Sequence, residues 1–291
     1  MPEVHTMNKA CMDRHQHADG DWLLASRQSG SLVHECVPRY IGYEERSRAP
    51  VRRLEVPHPN ITVIINLGAP LAVHAPAHGN PGMTYNSFVA GLFDTVAVTA
   101  NTGDSSGIEM NMTPLGMWQL FGVPMHELMN RIVPFDALAG KDAPALEERL
   151  RNTLDWDDRF DILDLVLTAR MSRSARPPCE VQWAWDQLTR TSNAPNVSSI
   201  ADALCWSRRR LTASFREHVG MTPKALARVV RFDRAVRRVR SGQLTRWSSL
   251  AYECGYADQS HLTREFREFA GLSPTEFLSR NGTGLTGLIS D

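Results

Sequence analysis

The chain has 291 residues, and its 32 Lys and Arg side chains are balanced by 32 Asp and Glu. With 42% apolar and 22% charged residues it has the composition of a folded globular chain, which excludes disorder over most of its length. No stretch approaches the ~18 apolar residues of a membrane-spanning helix, and no basic start leads into an apolar block, so neither a membrane protein nor a signal peptide is expected.

At roughly 100–200 residues per domain, two domains are expected. The five cysteines, Cys11, Cys36, Cys179, Cys205 and Cys254, are scattered and form no CxxC. Reduced thiols and a cytoplasmic location follow. His15 with His17, and His74 with His78, are the close histidine pairs. Neither points to third and fourth ligands, so no metal or cofactor is expected.

In chain order, the first 50 residues are polar and carry no readable period. Residues 61–67 (ITVIINL) are β-branched and apolar, and read as a strand before the turn at Gly68 and Pro70. Residues 71–74 read as a returning, paired strand. Residues 88–92 and 95–99 are further short strands, and residues 107–112 alternate apolar with polar as a half-buried strand does. The period then changes. Residues 114–121 read as a short helix opened by proline, and residues 125–132 as a second one. Trp156, Phe160, Leu163 and Leu167 share one helix face, which either packs on the β-rich part or forms a dimer seam. The run Asp155, Asp157, Asp158, Asp161 and Asp164 reads as a solvated helix start favoured by the helix dipole. Trp22, Met110 and Trp118 either line a pocket or fill the core. No GxSxG, HExxH or Gly-rich phosphate loop occurs in this part, so no catalytic residue is assigned and an enzyme is not expected. Residues 172–178 (SRSARPP) form a breaker-rich linker.

Charge is uneven along the chain. Residues 181–280 carry 16 basic and 9 acidic side chains, and the rest of the chain 16 and 23. A basic segment on an acidic one is a cue for nucleic-acid binding by one part only.

The basic segment contains a repeat. Residues 211–223 (LTASFREHVGMTP) and 262–274 (LTREFREFAGLSP) are identical at 7 of 13 positions, at an offset of 51. A short helical pattern precedes each copy, at 200–204 and 250–254. A tight turn follows each, and Ser207 and Asp258 are placed to cap the next helix. Helix, tight turn and capped helix make a helix-turn-helix unit, at about 198–219 and 248–270. In the first unit Leu211 and Phe215 face inward, while Arg208, Arg209, Thr212, Ala213 and Arg216 face out. In the second, Leu262, Phe266 and Phe269 face inward, while Gln259, Ser260, Thr263, Arg264 and Arg267 face out. The outward sets are side chains that read base edges: Arg on guanine, Gln on adenine, a Thr methyl on the thymine methyl. Arg and Ser also hold phosphates. An ordinary solvated helix face is the bland alternative for one helix, and a poor one for two matched helices. Between the units, residues 223–240 carry an apolar stripe and seven cationic side chains, Lys224, Arg228, Arg231, Arg234, Arg237, Arg238 and Arg240. As a helix they span roughly 27 Å, near the ~34 Å of one DNA turn. One or two of the seven are expected to touch DNA.

This segment resembles the AraC/XylS family of bacterial transcription regulators, most specifically in residues 250–274 (LAYECGYADQSHLTREFREFAGLSP). The resemblance implies a seven-helix DNA-binding domain at 181–281 with two units joined by a central helix. It places base reading at Arg209, Thr212 and Ala213, and at Gln259, Ser260, Thr263 and Arg264. One departure is Cys205, which stands where the family usually has Gly; a positive φ there costs about 1 kcal/mol and re-angles the first unit. Residues 61–68, 112–123 and 128–138 are similar to sensor regions in one branch of the family. The expected fold is therefore α+β. A β-rich, cupin-like sensor or dimerisation domain with helices occupies 1–176, an all-α domain follows, and residues 282–291 are a flexible tail. The expected function is a sequence-specific, ligand-responsive activator, with double-stranded DNA, RNA polymerase, a small-molecule effector and a second copy of the chain as partners. The competing reading is an enzyme-like or metal-binding cupin barrel fused to a DNA-binding module.

Overall fold

The computed structural model describes residues 9–17, 20–190, 196–242 and 246–280. Its N-terminal part holds eleven strands among the described residues: β1 (Cys11–His17), β2 (Gly20–Gln28), β3 (Arg39–Ser47), β4 (Val51–Glu55), β5 (Ile61–Asn66), β6 (Leu71–Ala75), β7 (Asn80–Tyr85), β8 (Phe88–Ala90), β9 (Ala97–Asn101), β10 (Asp104–Met112) and β11 (Ile132–Pro134). They form a seven-stranded sheet, β1-β2-β3-β10-β5-β8-β11, and a four-stranded sheet, β4-β9-β6-β7. Every pairing is antiparallel.

The two-residue period of a strand sorts side chains between the faces of the larger sheet. Ile108, Met110 and Met112 of β10, and Ile61, Val63 and Ile65 of β5, are fully buried in the main core. Ile64 and Phe88 point the other way, where Leu71 and Val73 of the second sheet meet them. Polar groups also bridge the sheets: Arg53 of β4 donates to Glu45 of β3 at 2.5 Å, and Asn101 of β9 donates to the same carboxylate at 3.0 Å.

The helices α1 (Pro114–Phe121), α2 (Phe135–Ala139), α3 (Ala143–Asn152) and α4 (Trp156–Met171) follow the strands. Trp156, Phe160, Leu163 and Leu167 of α4 are all buried, so this face packs within the chain against the seven-stranded sheet. Gly42 of β3 makes that approach possible: a Cβ there would lie 2.2 Å from the Trp156 ring.

Three sequence expectations are corrected. Residues 71–75 do not return beside 61–66. β6 pairs with β7 and β9 in the other sheet, because the 68–70 turn carries the chain across the sandwich. Residues 125–132 are not a helix: a single 3-10 turn at Met125–Glu127 leads to Ile132 at the start of β11. The acidic run is not merely solvated. Asp155 caps α4 as expected, accepting from the amides of Asp157 and Asp158. However, Asp161 and Asp164 turn onto Arg27 of β2, at 2.6 and 3.1 Å, with Asp157 at 3.8 Å. Asp164 also accepts from Tyr40 Oη at 2.6 Å and the Gly30 amide at 2.8 Å. A buried guanidinium demands such partners, and the strand that carries it was unreadable in sequence.

The C-terminal part is helical. It comprises α5 (Cys179–Arg190), α6 (Val197–Ala203), α7 (Arg208–His218), α8 (Pro223–Arg240), α9 (Trp247–Glu253), α10 (Gln259–Ala270) and α11 (Pro274–Arg280). The fold is thus α+β, β-rich before all-α, with the strands in two antiparallel sheets. The expected tail at 282–291 lies outside the described residues.

Candidate nucleic-acid interface

Local chemistry builds both helix-turn-helix units. Ser207 caps α7 by accepting from the Arg210 amide, and Asp258 caps α10 by accepting from His261. Such caps satisfy amides that the helix itself leaves unbonded. The preceding turns close with the same hydrogen bond, although the second runs one residue longer, through Ala257, before its cap. The Trp206 amide donates to Ala201 O at 2.9 Å and the Tyr256 amide to Ala251 O at 2.8 Å. Cys205 takes φ +53° where Gly255 takes +77°. The positive φ expected at Cys205 is therefore present. The re-angling expected from it is not seen in the hydrogen bonds of the turn, which match those of the second unit.

The inward sets are buried as expected: Leu211, Phe215, Leu262, Phe266 and Phe269. Of the outward set, Arg208, Arg209, Ala213 and Arg216 of α7 are exposed and Thr212 is half-buried. In α10, Gln259, Ser260, Arg264 and Arg267 are exposed and Thr263 is half-buried. The five α10 residues line one open surface concavity. The Thr263 hydroxyl donates back to Gln259 O at 2.9 Å, which leaves its methyl as the group free to contact a partner. Arg210, absent from the sequence-derived set, is exposed with its guanidinium 4.2 Å over the Trp206 ring. Cation–π contact holds it beside the cap.

The connecting helix α8 is a structural tie more than a cationic rail. Arg228 Nε donates to Glu265 Oε1 at 2.9 Å and Arg228 Nη2 to Glu268 at 2.6 Å, while Arg231 donates to Glu265 at 3.2 Å. Glu265 is only 3% exposed. Burial pushes its carboxyl up, but the bonds and charges of the two arginines outweigh this and hold it below the usual range. Arg234 donates to Thr189 O, Arg237 pairs with Asp233, and Arg238 with Glu253. Arg228 and Arg231 thereby orient α10 from behind. Sequence gave no sign of that, because Glu265 sits 34 and 37 residues away from them.

The first unit also meets the β-rich part. The Trp118 ring of α1 lies 4.7 Å from the His218 ring of α7. Gly220, at φ +100°, approaches Met125 so closely that a Cβ would lie 2.9 Å from its carbonyl oxygen. Trp118 is therefore a contact between the two parts of the chain, Met110 is buried at 2% exposure and also lines a cavity between the larger sheet and the helices on it, and Trp22 stacks on His15. His78 pairs with Asp94 at 3.3 Å. Among the described residues no group of three His, Cys, Asp or Glu is placed to hold a metal, and no helix is long and apolar enough to cross a membrane.

Comparison with known proteins agrees with this geometry. Residues 200–280 match the helix-turn-helix domain family, and residues 31–134 match a domain of unknown function. The chain is 26% identical over 163 residues to the HTH-type transcriptional activator RhaS of Pectobacterium carotovorum, covering 55% of this chain and 56% of that protein. It is 32% identical over 81 residues to a putative AraC-like transcription regulator of Streptomyces lividans, covering 28% of this chain and 26% of that protein. The chain thus spans about half the length of the RhaS relative. Among solved structures it is similar to ToxT from Vibrio cholerae, at 11% identity and TM-score 0.47, over 84% of this chain and 98% of that one. Residues 200–280 are thus similar to the helix-turn-helix domains of transcription regulators, as the sequence resemblance implies for this segment.

Proposed function

We propose that this chain is a sequence-specific, double-stranded-DNA-binding transcription regulator, acting as a ligand-responsive activator. The observation that carries the reading is the doubled unit: two capped, exposed recognition helices with matched turns, tied to one central helix. In this reading α7 and α10 enter successive major grooves on one side of the duplex. Arg209 and Thr212, with Gln259, Thr263 and Arg264, read base edges, while Arg208, Arg216, Ser260, Arg267 and the cap amides hold phosphates. Ala213 leaves room for the base pair it faces. The β-rich part senses an effector, which acts only through different affinities for two states of the chain. The activator then contacts RNA polymerase from its place on DNA, as a cytoplasmic protein without enzymatic activity, alone or as a homodimer.

Selection of genomic fragments by the purified chain at near-physiological salt tests this. Enrichment of one or a few promoter fragments, protected over two adjacent grooves, is the expected result. Equal recovery of all fragments, falling steeply with salt, describes a nonspecific phosphate binder and overturns the reading.

A further inference from the structure

An aromatic residue follows the left-handed turn residue in both units, Trp206 after Cys205 and Tyr256 after Gly255. Each ring meets a cation, but from a different element. Tyr256 is buried, and its cation comes from behind: Arg231 of α8 lies 5.0 Å over the ring. Trp206 takes its cation from the recognition helix itself. The Arg210 guanidinium lies 4.2 Å over the indole, and the indole packs against the main core. The place in α10 that corresponds to Arg210, directly before the buried leucine, holds His261. That ring meets Tyr256 edge-on at 5.2 Å and turns its Nε2 back to Glu265 at 3.5 Å.

Helix geometry gives Arg210 a direction. At about 100° per residue, Arg209, Thr212, Ala213 and Arg216 share the face of α7 that enters the groove. Arg208 and Arg210 lie roughly 100° to either side of the centre of that face. Each therefore faces one wall of a major groove, and the two walls are the phosphates of opposite strands. Both side chains are exposed, and among the described residues neither forms an ion pair. Glu180 of α5 feels the Arg210 charge without pairing with it. A guanidinium stacked face-on upon a ring keeps its in-plane N–H groups free, and a planar fork on a fixed support matches phosphate oxygens. The two flanking places on α10 hold Gln259 and His261, so that helix has no such pair of permanent cations.

We infer that Arg210 is a further phosphate contact, on the strand opposite the one held by Arg208. In this arrangement α7 is clamped on both walls of its groove and is the ionic anchor of the two units. The inference rests on the DNA-binding reading above.

The test is phosphate-ethylation interference and salt titration with the full chain, on a fragment recovered by the genomic selection. Ethyl groups on both strands flanking the α7 half-site should block the wild type. Arg210→Ala should lose the interference on one strand, and Arg208→Ala on the other. Each variant should lower the slope of log K against log salt by about 0.9, and weaken binding about five- to ten-fold at ~0.1 M salt, with base preference unchanged. Arg210→Lys keeps the charge and should keep the slope. An unchanged slope and interference pattern in Arg210→Ala, a loss on the same strand as in Arg208→Ala, or an altered base preference overturns the inference. Any of these with a wild type that binds its fragment leaves the regulator reading standing. A wild type that recovers no preferred fragment removes both.

Discussion

Glu265→Gln isolates the tie between α8 and α10. The wild-type carboxylate is buried, accepts from Arg228 and Arg231, and lies 3.5 Å from His261 Nε2. The amide keeps the shape and removes the charge, leaving two guanidiniums facing a neutral group. Leaving a buried charge without its partner costs about 3–5 kcal/mol. Here Arg228 and Arg231 remain 33% and 26% exposed, and Arg228 keeps Glu268. Solvent and that second bond reduce the expected loss to about 2 kcal/mol. At ~2–4 °C per kcal/mol for a protein of 150–250 residues, Tm falls by about 4–8 °C. Urea and thermal unfolding followed by circular dichroism read this directly. Titration with a selected DNA fragment should show weaker binding, because α10 is no longer held against α8. Glu268→Gln is the control: that carboxylate is 51% exposed, so its loss costs under about 1 kcal/mol. The pH dependence has a definite sign. The folded carboxyl of Glu265 is held below its unfolded value of about 4.3. Its contribution is therefore present above that pH and lost as pH falls through the folded value. The gap between wild type and Glu265→Gln should close below about pH 4. If Glu265→Gln is as stable as Glu268→Gln at pH 7, the ion pairs do not position α10. Packing of Phe232 on Phe266 and Phe269, both at 5.0 Å, then carries the contact.

Further outcomes follow from other sites. Arg264→Ala should cost roughly 1–3 kcal/mol at one base position and relax specificity there; equal weakening on every DNA sequence in a binding-site selection assigns it to phosphate instead. Cys205→Gly relieves a φ of +53° worth about 1–2 kcal/mol, less the greater freedom of glycine in the unfolded chain, so Tm should rise by a few degrees with DNA affinity intact; a lower Tm contradicts the strain argument. Gly220→Ala should lower Tm, since its Cβ meets the Met125 carbonyl at a positive φ, and the variant should become more protease-sensitive between the two parts of the chain. Burial, with the charge of Arg240, pushes His58 down to about 4. Its neutral form is the folded one, so stability should fall as pH drops from about 6.5 toward 4, and His58→Gln should flatten that limb in urea titrations.

Much of the C-terminal part was legible before any coordinates. Its units are made by causes that act within about 20 residues. These are the 3.6-residue apolar spacing of Leu211 with Phe215 and Leu262 with Phe266, hydroxyl and carboxylate caps at Ser207 and Asp258, and a left-handed residue at each turn. The 51-residue repeat doubled every one of those signals. The outward side chains follow from the inward ones by helix geometry alone, which is why the five residues of the α10 concavity were named from sequence.

Sandwich topology was not legible, because strand pairing is set by partners far along the chain. β3 finds β10 some 60 residues on, and a two-residue period says which side chains share a face but not which strand lies beside them. The polar first strands hid Arg27, and without Arg27 the acidic run of α4 had no reason to face inward. Nothing local marks Glu265 for burial; α8 brings two arginines against it from more than 30 residues away. The cavity that Met110 lines exists only where α3 and α4 meet the sheet. Local chemistry thus determined the recognition helices, while long-range packing, which decides where each charge finds a partner or is left without one, produced the buried ion pairs and the cavity.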